Sequence, residues 1–208
     1  FMFYYLSQFK DLFSGLNVFR YITFRAGMAG ITTFLLCLLL GPLFIRKLKE
    51  RKIKEIAKRE DCPGLDQFQE SKEGTPTMGG VFIISSILLS VLLWADLFNP
   101  YIILAFITCL WLAVLGWVDD YSKLMRWGKG RGLSKKTKLF WEILLGCFIG
   151  IYIYLNPQTS TQIDIPFLKN VIFNLGVFYI PFVAFVVIGT SNAVNFTDGL
   201  DGLAIGCV

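Results

Sequence analysis

The chain has 208 residues, of which 55% are hydrophobic and 17% are charged, and its formal net charge is +5. Soluble domains carry about a quarter charged residues, so this composition argues against a soluble protein and predicts a polytopic membrane protein. The basic residues flank long apolar runs, which favours a role in membrane orientation over a nucleic-acid-binding surface.

Two residue types narrow the chemistry further. The sequence contains no histidine, so this chain cannot form a histidine-based catalytic triad or a histidine metal site by itself. Its five cysteines show no CxxC spacing, and three of them lie within apolar runs. This pattern indicates small hydrophobic side chains rather than disulfides or zinc ligands.

Apolar runs predict an all-α fold, a polytopic transmembrane helical bundle. An aromatic-rich interfacial segment at residues 1–19 precedes the first span. Roughly 20 apolar residues cross a bilayer, and the predicted spans are residues 21–45, 78–98, 101–118, 139–155 and 171–188, with a sixth from about residue 202. The sequence stops as that sixth run begins, so we expect an N-terminal part of a longer membrane protein.

Lysine and arginine predict the orientation of these spans. Sixteen of the twenty basic residues lie in segments 46–72 and 123–138. Because cytoplasmic loops carry an excess of Lys and Arg, we expect the N-terminus to lie outside. The predicted cytoplasmic loops are residues 46–77, 119–138 and 189–201. Residues 156–170 are poor in basic residues and predict an external loop with a short hairpin.

This topology brings three polar motifs to the cytoplasmic surface. The first motif, at residues 74–80, is typical of a helix start, with Thr at the cap, Pro in the first turn and Gly for close packing. For this motif alone a plain helix start fits best, but with Lys72 beside it the free N–H groups could instead hold an anionic or uracil-like group. The three motifs come from separate parts of the sequence, so their shared position on one side of the membrane favours a single site.

The second motif is the adjacent pair Asp119 and Asp120 at the end of the third span. Two such carboxylates repel each other, and acidic groups at a helix C-terminus oppose the helix dipole. The alternative is a solvated charge pair at a helix end, but these costs favour a pair that holds Mg²⁺ or acts as a base. Lys123, three residues after Asp120, is a candidate phosphate ligand.

The third motif, residues 192–204, carries two Asn, a Thr, two Asp and two Gly directly after an apolar run. Asp198 and Asp201 fall on the same side of a helical turn or tight loop. Such oxygen groups suit Mg²⁺ and the hydroxyls of sugars or nucleotides. Asn, Asp and Gly are also the usual turn formers, so a polar turn between two membrane helices remains an equal alternative for this stretch alone.

Together these residues predict a membrane enzyme whose cytoplasmic site binds a phosphorylated substrate and a divalent metal. Phosphoryl transfer fits best, because it relies on positioning, metal and lysines rather than on a Ser–His or Cys–His nucleophile. A transporter is the alternative from a different class. Transporters place ionisable residues near the bilayer midplane, whereas the predicted spans here are nearly free of charge.

The three motifs, in this order, resemble the phospho-N-acetylmuramoyl-pentapeptide transferase family, within the polyprenyl-phosphate sugar-1-phosphate transferases. They read Gly74-Thr-Pro-Thr-Met-Gly-Gly80, Asp119-Asp120-Tyr-Ser-Lys123 and Asn195-Phe-Thr-Asp198-Gly-Leu-Asp201-Gly-Leu-Ala. The segment at residues 17–25 is similar to the family's N-terminal signature. The resemblance implies a fold of about ten transmembrane helices in the bacterial cytoplasmic membrane, a cytoplasmic active-site cleft and a homodimer.

The resemblance also implies the reaction. Phospho-MurNAc-pentapeptide would pass from UDP-MurNAc-pentapeptide to undecaprenyl phosphate, giving lipid I and UMP with Mg²⁺ as cofactor, in the first membrane step of peptidoglycan synthesis. A sister transferase that uses UDP-GlcNAc is the alternative within the superfamily.

Carried over by position, Asp119 and Asp120 match the catalytic pair of the family. The residues that match nucleotide-sugar or phosphate contacts are Lys72, Thr77, Lys123, Asn195, Asp198 and Asp201, with Lys136 and Lys138 as basic residues near the site. The family's third essential Asp, its principal metal ligand, and its triple-His motif would lie beyond residue 208, so Asp119 or Asp120 is the possible metal ligand here. We therefore expect this polypeptide alone to be inactive.

Overall fold

The computed structural model describes residues 3–50, 79–124, 132–164 and 172–197. The chain divides into two compact units, Phe1–Gly132 and Leu133–Val208. Each unit is built from helices whose apolar side chains pack against their sequence neighbours in the same unit.

The first unit contains three long helices preceded by two short 3-10 helices. The 3-10 helices are Phe3–Phe9 and Ser14–Arg20, and the α-helices are α1 (Ile22–Glu50), α2 (Gly79–Trp94) and α3 (Pro100–Leu124). Helices α1 and α2 are joined near one end by Phe44 and Phe82, whose rings stack at 4.9 Å. At the other end, Trp94 Nε1 donates a hydrogen bond of 2.9 Å to Thr32 Oγ1.

Hydroxyl groups in these apolar helices are satisfied locally. Thr32 and Thr33 donate to backbone carbonyls one turn earlier in α1, at 2.7 and 2.9 Å. Ser86 and Ser90 do the same in α2, each at 2.9 Å. Because no water reaches the core of a bilayer, such bonds to the preceding turn let a membrane helix carry hydroxyls at little cost.

The second unit contains two long helices joined through a small hairpin. Its elements are α4 (Lys135–Leu155), β1 (Gln162–Asp164), β2 (Ile172–Asn174), a 3-10 helix (Gly176–Phe178) and α5 (Tyr179–Thr197). Ser134 caps α4, since its hydroxyl accepts a hydrogen bond from the Thr137 N–H at 3.1 Å. The strands pair antiparallel, with Ile163 opposite Phe173.

Helices α4 and α5 pack closely at two glycines. A Cβ added at Gly146 would lie 2.5 Å from the Cα of Ala184, and one added at Gly150 would lie 2.9 Å from the Cα of Ile180. Small residues let two membrane helices approach to backbone contact, where van der Waals packing is strongest. Leu145 beside this contact is 1% exposed and belongs to the core of the unit.

The helical architecture confirms the predicted fold class, an all-α polytopic membrane protein. Four helical segments among the described residues are long and apolar enough to cross a membrane: Ile22–Glu50, Pro100–Lys123, Lys135–Leu155 and Gly176–Asn195. The apolar helix α2 is shorter. Many large side chains on these helices face outward, including Leu39 and Phe185, as expected where lipid or further helices cover them.

Element boundaries differ from the predicted spans at several places, the largest of them in the second unit and around residues 119–138. The fifth helix begins at Tyr179 rather than at residue 171, because residues 172–174 pair with β1 as a strand. The same helix continues to Thr197, so Asn195 lies on a helix and not in the predicted loop 189–201. The predicted loop 119–138 is helical at both ends, where α3 ends and α4 begins.

Candidate active site

The acidic pair lies in the last turns of α3 beside a lysine of the same helix. Lys123 Nζ is 2.7 Å from Asp119 Oδ2 and 3.4 Å from Asp120 Oδ1. Spacings of three and four residues place the three side chains on one face of the helix. The Lys123 ammonium thus offsets the repulsion between the two carboxylates, which resolves the electrostatic conflict noted in the sequence.

The two carboxylates differ in their surroundings. The Asp119 side chain is 22% exposed and carries the shorter contact to Lys123, whereas the Asp120 side chain is 44% exposed. Partly exposed ion pairs contribute only about 0–1 kcal/mol to stability. The contacts therefore matter chiefly for orientation, and Asp120 is the carboxylate more open to a ligand.

Gly132 lies against this ion pair and was not among the site residues predicted from the sequence. Its φ is +73°, a conformation that glycine adopts readily and other residues do not. A Cβ at this position would lie 2.6 Å from Asp119 Oδ1 and 2.9 Å from Lys123 Cε. The sequence signal is weak, because a Gly shortly before the helix cap Ser134 suggests a turn but not a contact with Asp119.

A second group of predicted site residues lies in the other unit, at one end of the α4–α5 pair. Lys136 is exposed and Lys138 half-buried in the first turn of α4, and Asn195 is exposed near the end of α5. Below them, the buried Glu142 accepts hydrogen bonds from Ser191 Oγ at 2.8 Å and Asn192 Nδ2 at 2.9 Å.

The antiparallel register relates these positions. Gly146 of α4 lies against Ala184 of α5, and Gly150, four residues later in α4, lies against Ile180, four residues earlier in α5. Continued by about two turns past Gly146 and Ala184, this register places Lys138 level with Asn192, and Asn195 lies about one turn beyond Asn192 at the same end of the helix pair. Four other predicted site residues lie outside the described residues: Lys72, Thr77, Asp198 and Asp201.

The described residues fit part of a magnesium site. None of them form a group of three or more Cys, Asp or Glu side chains suited to hold a metal ion. Mg²⁺ is, however, commonly bound by one or two carboxylates together with substrate phosphates. The pair Asp119 and Asp120 supplies that number of carboxylates, although Lys123 Nζ already lies beside one oxygen of each.

Comparisons with known proteins bear on the same segments. A family model described as glycosyl transferase family 4 matches residues 101–208. A model described as phospho-N-acetylmuramoyl-pentapeptide-transferase signature 1 matches residues 72–84. Between them, the two matched segments contain every predicted site residue.

Curated relatives named phospho-N-acetylmuramoyl-pentapeptide-transferase are similar to almost the whole chain. One from Desulforapulum autotrophicum is 44% identical over 205 residues, covering 99% of this chain and 56% of the relative. One from Desulfotalea psychrophila is 47% identical over 206 residues, with coverage of 99% and 56%. One from Citrifermentans bemidjiense is 47% identical over 192 residues, with coverage of 92% and 52%. The chain thus spans about half the length of these relatives.

Proposed function

Since the chain belongs to glycosyl transferase family 4, we propose that the full-length protein transfers phospho-MurNAc-pentapeptide from UDP-MurNAc-pentapeptide to undecaprenyl phosphate. The products are lipid I and UMP. The observation that carries this proposal is the cluster of Asp119, Asp120 and Lys123 at the end of α3, inside the segment that the family model matches. A carboxylate pair with an adjacent ammonium suits transfer between two phosphates.

The protein is a multi-pass membrane protein of a bacterial family, and the proposal extends to its orientation. Because sixteen of the twenty basic residues lie in segments 46–72 and 123–138, we infer that these segments and the acidic pair face the cytoplasm of the bacterial inner membrane. The resemblance to the family also supports a homodimer as the working form.

Different residues of the chain have different roles in the proposed reaction. Asp120, the more exposed carboxylate, accepts the proton of the lipid phosphate. The freed phosphate oxygen attacks the β-phosphorus of the UDP-sugar, and the bond from that phosphorus to the bridging oxygen breaks, leaving the electron pair on UMP. Lys123 orients phosphate oxygens as the charge redistributes. Residues that match nucleotide-sugar contacts hold the donor in place: Lys72, Thr77, Asn195, Asp198 and Asp201.

Magnesium belongs to the same proposal. Asp119 or Asp120 would supply a carboxylate ligand, with the principal ligand expected beyond residue 208. When bound, Mg²⁺ neutralises charge on the pyrophosphate and the leaving UMP.

The donor sugar separates this function from its alternatives. We expect the full-length protein, reconstituted with undecaprenyl phosphate, to release UMP from UDP-MurNAc-pentapeptide at least about tenfold faster than from UDP-GlcNAc, because pocket contacts discriminate between the two sugars. A coupled UMP assay measures both rates. Faster release from UDP-GlcNAc would identify the sister transferase, and vesicle flux of labelled UDP-sugar without UMP release would indicate a transporter.

A substitution at Gly132 tests its contact with the ion pair. Gly132→Ala forces a side chain into the left-handed region, at a cost of about 1–2 kcal/mol, and places its Cβ 2.6 Å from Asp119 Oδ1. We expect kcat/KM of the full-length protein to fall roughly tenfold or more, since about 1.4 kcal/mol of lost transition-state stabilisation has that effect.

Gly176 provides a matched control for that experiment. Its φ is +50°, but a Cβ there meets nothing within 4 Å in the described part of the chain. Gly176→Ala therefore carries a similar backbone cost without a clash, and its kcat/KM should stay within about twofold of the unsubstituted protein. Equal losses in both variants would show that backbone strain alone, and not contact with Asp119, explains the effect of Gly132→Ala.

A further inference from the structure

Glu142 is a buried acidic residue that the proposed mechanism does not use. It lies within the apolar helix α4 and is 1% exposed. A buried carboxylate costs several kcal/mol unless hydrogen bonds or a cation compensate it. Among the described residues Glu142 has no ion pair, and its compensation comes from neutral donors on α5.

The two donors bind different oxygens of the Glu142 carboxylate. Ser191 Oγ donates to Oε1 at 2.8 Å, and Asn192 Nδ2 donates to Oε2 at 2.9 Å. The Asn192 amide also donates to the carbonyl of Ile188 in its own helix, at 2.9 Å. A contact that uses both oxygens of one carboxylate and two successive residues of the facing helix holds that helix in one rotation about its axis.

The packing at Gly146 and Gly150 would not by itself hold α5 in one rotation about its axis. Gly146 against Ala184 and Gly150 against Ile180 bring two nearly flat helix surfaces together, and such surfaces resist sliding less than interlocking side chains do. A buried polar contact is the best-attested device for fixing the register of packed helices. Glu142, one turn before Gly146, supplies that contact to the end of the pair that carries Lys138 and Asn195.

We propose that Glu142 is a positioning residue for the nucleotide-sugar side of the site. Its carboxylate fixes the height and rotation of α5 against α4 and so holds Asn195, one turn beyond Ser191, at the end of the helix pair that carries Lys138. The inference rests on the proposed function, because Asn195 and Lys138 are donor-binding residues only in that reaction. It predicts that Glu142 governs binding of the UDP-sugar rather than the chemical step.

Loss of the carboxylate should leave the fold intact. Asn192 keeps its bond to the Ile188 carbonyl, and a serine hydroxyl in a helix can donate to a carbonyl of the preceding turn. Both donors thus have partners on α5 when Glu142 is replaced by an apolar residue. A variant such as Glu142→Leu therefore loses the contact between helices without leaving unsatisfied polar groups.

The kinetic test compares three variants of the full-length protein. Glu142→Leu should raise KM for UDP-MurNAc-pentapeptide roughly tenfold and leave kcat within about threefold, the pattern of lost substrate binding. Glu142→Gln should stay within about twofold of the unsubstituted KM, because its carbonyl accepts from Asn192 and its amide donates to a turned Ser191 hydroxyl. Ser90→Ala, at a site equally buried but bonded only to its own helix, should leave KM unchanged.

A second readout does not depend on activity. A bifunctional thiol reagent should link Lys138→Cys to Asn195→Cys in an otherwise cysteine-free protein, and Glu142→Leu should lower the yield several-fold as α5 shifts. The unsubstituted protein could release no UMP while this linkage still depends on Glu142. That result would contradict the proposed function but support the role of Glu142 in fixing α5 against α4.

Other outcomes overturn the inference directly. An unchanged KM and linkage yield in a folded Glu142→Leu protein would do so, as would a loss confined to kcat. If Glu142→Leu does not accumulate, Asn192→Leu breaks one of the two bonds and keeps the other, and it should raise KM about threefold. An unchanged KM in that variant, with normal membrane insertion, would equally contradict the proposal.

Discussion

Replacing either member of the acidic pair should nearly abolish turnover in the full-length protein. We expect Asp120→Asn to lower kcat by about a hundredfold to ten-thousandfold, the usual contribution of a positioned general base, and Asp119→Asn to lower it strongly as well, because Lys123 loses the carboxylate that orients it. Asparagine has the same shape but cannot take up a proton or balance the Lys123 charge. Lipid I synthesis from labelled UDP-MurNAc-pentapeptide measures the effect.

The contacts of the two residues predict different side effects. Asp119 holds Lys123 Nζ at 2.7 Å, so Asp119→Asn should also raise KM for the donor as the lysine moves. The contact of Asp120 with Lys123 is longer, at 3.4 Å, so Asp120→Asn should lower kcat with little change in KM. This division follows from assigning proton transfer to Asp120 and orientation of Lys123 to Asp119.

Asp96 offers a matched control in the same unit. Its carboxylate accepts a hydrogen bond from the Phe98 N–H at 3.1 Å, in a turn between α2 and α3. Asn serves in such turns as well as Asp does, so Asp96→Asn should leave turnover and insertion unchanged. Near-normal lipid I synthesis by both variants of the acidic pair would remove it from the reaction and end the proposed mechanism.

The second large effect is expected on stability, from Gly146→Ala. The added methyl would lie 2.5 Å from the Cα of Ala184, which is backbone and cannot turn aside. Forcing α4 and α5 apart should cost about 1–3 kcal/mol, the usual range for overpacking, despite the better helix propensity of alanine. The apparent Tm of the purified full-length protein, compared at one heating rate, should fall by several degrees.

Gly189 on α5 provides the opposite expectation from the same substitution. A Cβ there meets nothing within 4 Å in the described part of the chain. Gly189→Ala should therefore be neutral or raise stability by up to about 1 kcal/mol through helix propensity. Equal Tm changes in the two variants would show that α4 and α5 do not meet at Gly146.

Local features of the site could be predicted from the sequence with fair accuracy. The sequence pointed to Asp119, Asp120 and Lys123 as candidates; the ion pairs between them, at 2.7 and 3.4 Å, were seen only in the structure, although residues three and four apart share a helix face. The predicted roles of these and the other site residues stay predictions. The hairpin was expected within residues 156–170, but its second strand, Ile172–Asn174, lies beyond that segment.

Predictions from local composition failed where tertiary contacts compete with turn chemistry. Asn, Asp and Gly after residue 191 favoured a loop, yet α5 continues to Thr197. Part of the reason lies in Asn192, whose amide bonds both to the Ile188 carbonyl and to the buried Glu142. Similarly, residues 172–174 were assigned to a membrane span, but they pair with β1 as a strand.

The sequence by itself determined the fold class and pointed to the acidic pair and its lysine as candidates, because hydropathy and helical spacing act over one or two turns. Only the tertiary structure decided that Gly132 lies against Asp119 and that Glu142 of α4 accepts hydrogen bonds from Ser191 and Asn192 of α5. Both depend on contacts that reach beyond a single helix. No local pattern specifies which distant backbone will approach a glycine, or which helix will supply donors to a buried carboxylate.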